Sequence, residues 1–162
     1  MPTTIRHDDL VESVAAALQY ISYCHPADYI THLARAYERE ASAAAKDAIA
    51  QILTNSRMCA EGRRPICQDT GIVNVFLEIG MDCRFEGFAG SIEDAVNEGV
   101  RRGYLNPDNK LRASVLDDPL FARKNTKDNT PAVIHMRLVP GNTVSVDVAA
   151  KGGGSENKSK FK

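Results

Sequence analysis

The 162-residue sequence contains no Cys-x-x-Cys pair, no long apolar run and almost no net charge. Its four cysteines, at 24, 59, 67 and 83, are too scattered for a zinc ribbon, a thioredoxin-type motif or a ferredoxin-type cluster run. No stretch approaches the ~20 apolar residues that span a bilayer. The formal charge of −1 argues against a general nucleic-acid or polyanion binder. Internal repeats and low-complexity linkers are also missing. The opening residues, Met1-Pro2-Thr3-Thr4-Ile5-Arg6, lead into Asp8-Asp9 and not into an apolar signal region. Free thiols without an export signal predict a reducing, cytoplasmic setting.

What is present is 43% hydrophobic and 25% charged residues, enough apolar side chain to bury a core. Those fractions exclude collagen-like, disulfide-scaffold and disordered classes. The length predicts one domain over 1–162. Ser159-Lys160-Phe161-Lys162 reads as an interrupted segment, so the domain is expected to be incomplete at its C-terminus.

The first third has helical periodicity. Leu10, Val14, Leu18 and Ile21 align on one face, and Asp9 with Glu12 suggests a capping box. Pro26 ends that helix and suits N1 of a second, whose buried stripe is expected to be Ile30, Leu33, Ala34 and Tyr37. A third helical segment runs from Ala43 to Leu53, with Asn55, Gly62 and Pro65 as stops.

The period then changes. Val73, Val75, Leu77 and Ile79 alternate with more polar neighbours as in a strand, which Gly80 ends. Ser91 is placed to cap a helix whose shared face is Ile92, Ala95, Val96, Gly99 and Val100. Residues 105–130 are polar and read as an extended loop. Ile134, Met136 and Leu138, then Val144, Val146 and Val148, alternate about a Pro140-Gly141-Asn142 turn and predict a β-hairpin. The expected class is therefore α+β: an N-terminal helical layer on a small mixed or antiparallel sheet that includes this C-terminal hairpin.

Two loops carry chemistry. The first, Arg63 to Gly71, places Cys67, Gln68, Asp69 and Thr70 between a proline and a glycine. A thiolate beside hard polar groups suits a metal centre with a polar ligand next to it. A plain turn with a buried cysteine accounts for the same residues. The second, Lys151-Gly152-Gly153-Gly154-Ser155-Glu156-Asn157-Lys158, offers backbone N–H groups that can approach an anion closely. It is not a P-loop, because Asn157 stands where that motif requires glycine. A flexible Gly-Ser tail is the alternative. His7, His25, His32 and His135 read as structural or solvated side chains, and Arg112 has no distinguishing context of its own.

Taken together, ICQDTGIV at 66–73 and AKGGGSENKSKF at 150–161 resemble the two N-terminal signatures of the class I, iron–sulfur fumarate hydratases. The same signatures occur in alpha subunits of the related tartrate dehydratases. Leu53 to Pro65 is also similar to bacterial members. The resemblance implies a [4Fe–4S] cluster held by three cysteines, with one iron left open as a Lewis acid toward the substrate hydroxyl and carboxylate. Cys67 would be one ligand of that cluster. Gln68 and Asp69 would contact substrate or the ligands of the open iron, Arg112 would bind substrate, and Gly154 would offer its backbone N–H to a carboxylate. Cys24, Cys59 and Cys83 match no ligand motif of the family.

The implied reaction is reversible anti addition of water to fumarate, giving (S)-malate, by a homodimeric enzyme. No catalytic acid or base is assigned within the chain, and the general base and the remaining cluster ligands are expected outside it. One motif cysteine cannot hold the cluster, so the chain alone is expected to be inactive. A tartrate dehydratase alpha subunit, an anion-binding module without iron, and an assembly fragment are the competing readings. No nucleic acid or membrane partner is expected.

Overall fold

The computed structural model describes residues 2–67 and 71–152. Among these, the elements in chain order are β1 (Thr4–Arg6), α1 (His7–Tyr23), α2 (Ala27–Arg39), α3 (Ala43–Gly62), β2 (Ile72–Gly80), β3 (Arg84–Glu86), α4 (Ile92–Leu105), β4 (Leu116–Asp117), β5 (Lys124–Asn125), β6 (Val133–Val139) and β7 (Val144–Lys151). The class is α+β, as the sequence predicts. The described residues group into two compact units, one within 20–67 and one drawn from the segments on either side.

The 20–67 unit is helical. Pro26 occupies the N-cap of α2, one position earlier than expected, with φ −57 already set for the turn. Ser42 caps α3 by accepting from the Ala45 N–H. Asn55 does not stop α3, which continues to Gly62 and ends with Arg63 in the left-handed region. The expected stripe of α2 is only half-covered: Ile30, Leu33 and Ala34 are partly buried, Tyr37 is exposed, and no residue of α2 is fully buried. With few helices in the unit, little surface is available to enclose that stripe.

The other unit is built on β2. Its residues Val73, Val75, Leu77 and Ile79 are buried, whereas Ile72 and Phe76 are exposed on the opposite face. This is the alternation of a strand with one face in the core. β6 pairs with β2 in parallel and β7 pairs with it antiparallel, giving the order β6-β2-β7. The predicted hairpin is thus corrected: β6 and β7 are consecutive and run in opposite directions, but β2 lies between them. A direct hairpin would leave β2 with unpaired N–H and C=O groups on an edge, whereas insertion satisfies both of its edges.

The short connection between β6 and β7 passes the end of β2. The Gly80 N–H donates to the Thr143 carbonyl, Met81 N–H to Val139, and Asp82 N–H to Gly141, each at 2.9 Å. A Cβ on Gly80 would lie 2.5 Å from the Gly141 oxygen, so the crossing needs glycine. The parallel β2–β6 pair also makes β2-α4-β6 a crossover unit; with β1 ahead of α1, it departs from helices first and strands later. Two small ribbons complete the unit, β1 parallel to β3 and β4 antiparallel to β5.

Helices α1 and α4 supply the rest of this core. Leu10, Val11, Val14 and Leu18 on α1 and Ala95, Val96, Val100 and Tyr104 on α4 are buried. Each large apolar side chain so enclosed contributes roughly 1.5–3 kcal/mol over exposure. The predicted capping box at Asp9 and Glu12 is not formed. The helix starts at His7, and the Asp9 carboxylate instead accepts from Arg6 at 3.0 Å. Ser91 does cap α4, in a full capping box with Asp94.

The two helices approach closely through Gly99 and Gly103. A Cβ at Gly99 would lie 2.7 Å from the Val11 carbonyl oxygen and 2.8 Å from Val14 Cβ. At Gly103 it would meet Leu18 Cδ1, the end of a side chain, at 2.9 Å. Gly99→Ala is therefore expected to destabilise the protein by about 2–3 kcal/mol and Gly103→Ala by about 1 kcal/mol. Urea unfolding of both variants checks this order, and equal losses would show that the backbone contact at Gly99 is not the limiting one.

Candidate functional site

Cys67 ends the helical unit. The segment leading to it is fixed by its backbone: Arg64 N–H donates to the Cys59 carbonyl at 3.0 Å and Ile66 N–H to Ser22 at 2.9 Å. The Cys67 side chain is exposed, so the buried-cysteine alternative does not describe it. Cys59 does fit that description, with its thiol directed at Asn55 Oδ1 and the Pro65 carbonyl. Cys24 and Cys83 are half-buried. Gln68, Asp69 and Gly154 lie outside the described residues.

Among the described residues, no group of three or more His, Cys, Asp or Glu side chains is placed to hold a metal ion. A [4Fe–4S] cluster with one open iron needs three protein thiolates. The described residues do not fit that requirement; the exposed Cys67 thiol is one suitable donor.

The backbone around the remaining candidates converges on two residues that the sequence analysis did not single out. Gly71 has φ +53, and a Cβ there would lie 1.7 Å from the Lys151 carbonyl oxygen and 2.7 Å from Gly152 Cα. Only glycine fits this contact. The Gly71 carbonyl in turn accepts from Asn129 Nδ2 at 3.1 Å.

Asn129 is completely buried and has φ 58, a conformation asparagine tolerates better than most residues. Its Oδ1 accepts from the backbone N–H groups of Ser114 (2.6 Å) and Val115 (3.0 Å). Its Nδ2 also donates to the Tyr104 hydroxyl at 2.9 Å. Two donors and two acceptor positions are all an amide side chain offers, and all are engaged.

Arg112 is exposed on the segment that Asn129 anchors. Two more asparagines hold this segment. Asn109 accepts from the Leu111 N–H and donates to the carbonyls of Tyr104 and Leu111. Asn125 donates to the Ala113 carbonyl at 2.8 Å. Side-chain amides thus replace strand pairing along 109–115, so the polar stretch read as an extended loop is well supported. The available signal was its density of asparagines, which periodicity does not register.

Charge reinforces the same region. Burial pushes the Asp128 carboxyl upward, but hydrogen bonds from the Thr130 N–H and hydroxyl, and from Arg101, outweigh it and leave the group below its ordinary value of 3.8. Arg101 and Arg102 both pair with Glu98, and hydrogen bonds from Arg102 and then Arg101 lower that carboxyl too. Two of the histidines make packing contacts. His25 contacts Ser56 Oγ and stacks on Tyr29, while His135 stacks on Phe76 across the β2–β6 pair.

Comparison of the sequence with known proteins places the chain in a family. The family model for fumarate hydratase (fumerase) matches residues 11–162, and the chain belongs to that family. It is 32% identical over 160 residues to a Methanocaldococcus jannaschii chain named as an L(+)-tartrate dehydratase alpha subunit, covering 96% of this chain and 53% of that one. It is also 32% identical over 122 residues to the anaerobic class I fumarate hydratase of Escherichia coli, covering 75% of this chain and 22% of that enzyme. The L(+)-tartrate dehydratase alpha subunit of Escherichia coli O157:H7 is 26% identical over 145 residues, 90% of this chain and 47% of the subunit. The chain therefore spans about half of the dehydratase subunits and about a fifth of the hydratase. By name these relatives are hydro-lyases.

Two predictions arise from the site. Gly71→Ala is expected to cost more than about 3 kcal/mol, since the new Cβ cannot coexist with the Lys151 carbonyl; a urea midpoint near that of the unsubstituted chain would refute the close approach. Asp128 binds protons less readily in the fold than in the unfolded chain. Its stabilisation is thus complete above its ordinary value of 3.8 and is lost as pH falls through the lower folded value. Asp128→Asn should flatten stability against pH below about pH 4, read from urea midpoints across the acid range.

Proposed function

We propose that this chain forms part of a hydro-lyase that adds water reversibly to fumarate, giving (S)-malate. The observation that carries this reading is the family match over 11–162, which takes in Cys67, Gln68, Asp69, Arg112 and Gly154. A dicarboxylate needs a cation and aligned N–H donors. The Arg112 guanidinium supplies the first, and the glycine backbone at 152–154 supplies the second. Gln68 and Asp69 contact the substrate or the ligands of the open iron. In the whole enzyme the cofactor is a [4Fe–4S] cluster, to which Cys67 gives one thiolate. The other two ligands and the general base come from outside these 162 residues. The whole enzyme is a homodimer and works in the cytoplasm. Among the described residues no helix is long and apolar enough to cross a membrane.

A second substrate reading, dehydration of L(+)-tartrate by an alpha subunit with this sequence, is favoured by coverage. The tartrate dehydratase relatives align with 96% and 90% of the chain, against 75% for the anaerobic class I hydratase. Both substrates place two carboxylates across a two-carbon unit, so both require the same donors.

The test is direct. After anaerobic treatment with iron and sulfide, the 162-residue chain should show saturable fumarate binding by NMR titration and no hydration of fumarate. Arg112→Ala should weaken that binding about tenfold or more, the loss of a charge-assisted pair. Measurable turnover would overturn the division of the site, and unchanged affinity in the Arg112 variant would overturn its role. A parallel titration with L(+)-tartrate separates the two substrates.

A further inference from the structure

Asn129 touches no candidate ligand group, yet it is the one described side chain that joins the backbones flanking several of them. Its Nδ2 holds the carbonyl of Gly71, the residue that follows 68–70. Its Oδ1 holds the N–H groups of Ser114 and Val115, two and three positions beyond Arg112. Gly71 in turn lies against Lys151 and Gly152, where the triple glycine begins. One amide therefore ties together two stretches far apart in sequence, and the first of them lies against a third.

The amide is suited to fixing them in place. It is fully buried, so no water competes for its bonds, and all four are made. If the side chain were lost, two backbone N–H groups of a half-buried segment and the carbonyl of the buried Gly71 would lose these partners. Of its four partners only the Tyr104 hydroxyl belongs to α4; the other three are backbone groups of the converging segments. The left-handed backbone at Asn129 turns the side chain inward between them.

We infer that Asn129 is a positioning residue of the dicarboxylate site, setting the spacing of the Arg112 segment relative to Gly71 and the start of the glycine loop. This rests on the fumarate reading above. Preorganised donors bind a rigid dicarboxylate without a cost of ordering, so loosening the amide should reduce affinity even where the fold survives.

The experiment uses the 162-residue chain with fumarate as the probe, read from the backbone amide resonances of Gly71, Arg112 and Gly152. Asn129→Gly keeps the positive φ accessible and removes only the amide, and its affinity should fall about tenfold while unfolding stays cooperative. Tyr104→Phe removes a partner on α4 and should lower stability but leave affinity within about twofold, a split that a merely structural role would not produce. In the unsubstituted chain, the Ser114 and Val115 amides should exchange about a hundredfold more slowly than in an open loop.

A folded Asn129→Gly variant with undiminished affinity overturns the inference while leaving the fumarate reading intact. Rapid exchange at Ser114 and Val115 overturns it even if that variant fails to fold. If the unsubstituted chain shows no saturable response to fumarate, the functional reading falls and this inference falls with it.

Discussion

The sheet unit depends on the burial of one face of β2 together with full hydrogen bonding along both of its edges. Val73, Val75, Leu77 and Ile79 enter the core, and the stripes of α1 and α4 supply the apolar surface that completes it. A strand in that position cannot leave its backbone groups unpaired. β6 and β7 must therefore take opposite sides of it, and their connection must cross its end at Gly80. The close approach of α1 and α4 at Gly99 and Gly103 is part of the same packing.

The candidate binding elements are set at the other end of β2. Gly71 stands immediately before the strand, against the last residues of β7, and receives the Asn129 amide. Segments with little regular structure thus meet at the end of the buried, fully paired strand. Arg112 lies in neither a strand nor a helix. Its support comes from Asn109, Asn125 and Asn129, whose amides satisfy backbone groups that a ladder would otherwise take.

The cysteines separate into different chemical roles for physical reasons. Cys59 is buried on α3 and acts as a small apolar residue with a weak donor, whereas Cys67 is exposed beyond the left-handed helix end at Arg63. Exposure leaves its thiol available as a ligand, but one thiol does not make a cluster site.

By itself the sequence determined the class, the strand at 72–80, the capped helix after Ser91 and the family through two short motifs. Each of these is encoded locally, by period, by a capping residue or by an uncommon run of residue types. It did not determine that β2 would separate β6 from β7, because alternation marks a strand without naming its neighbours. Nor did it point to Asn129 or Gly71, whose importance lies in contacts with residues up to 81 positions away (Gly71 with Gly152). The stripe of α2 was legible, but its burial depended on how much surface the helical unit offered. Only the tertiary structure decided these points, because pairing and enclosure are properties of distant segments brought together.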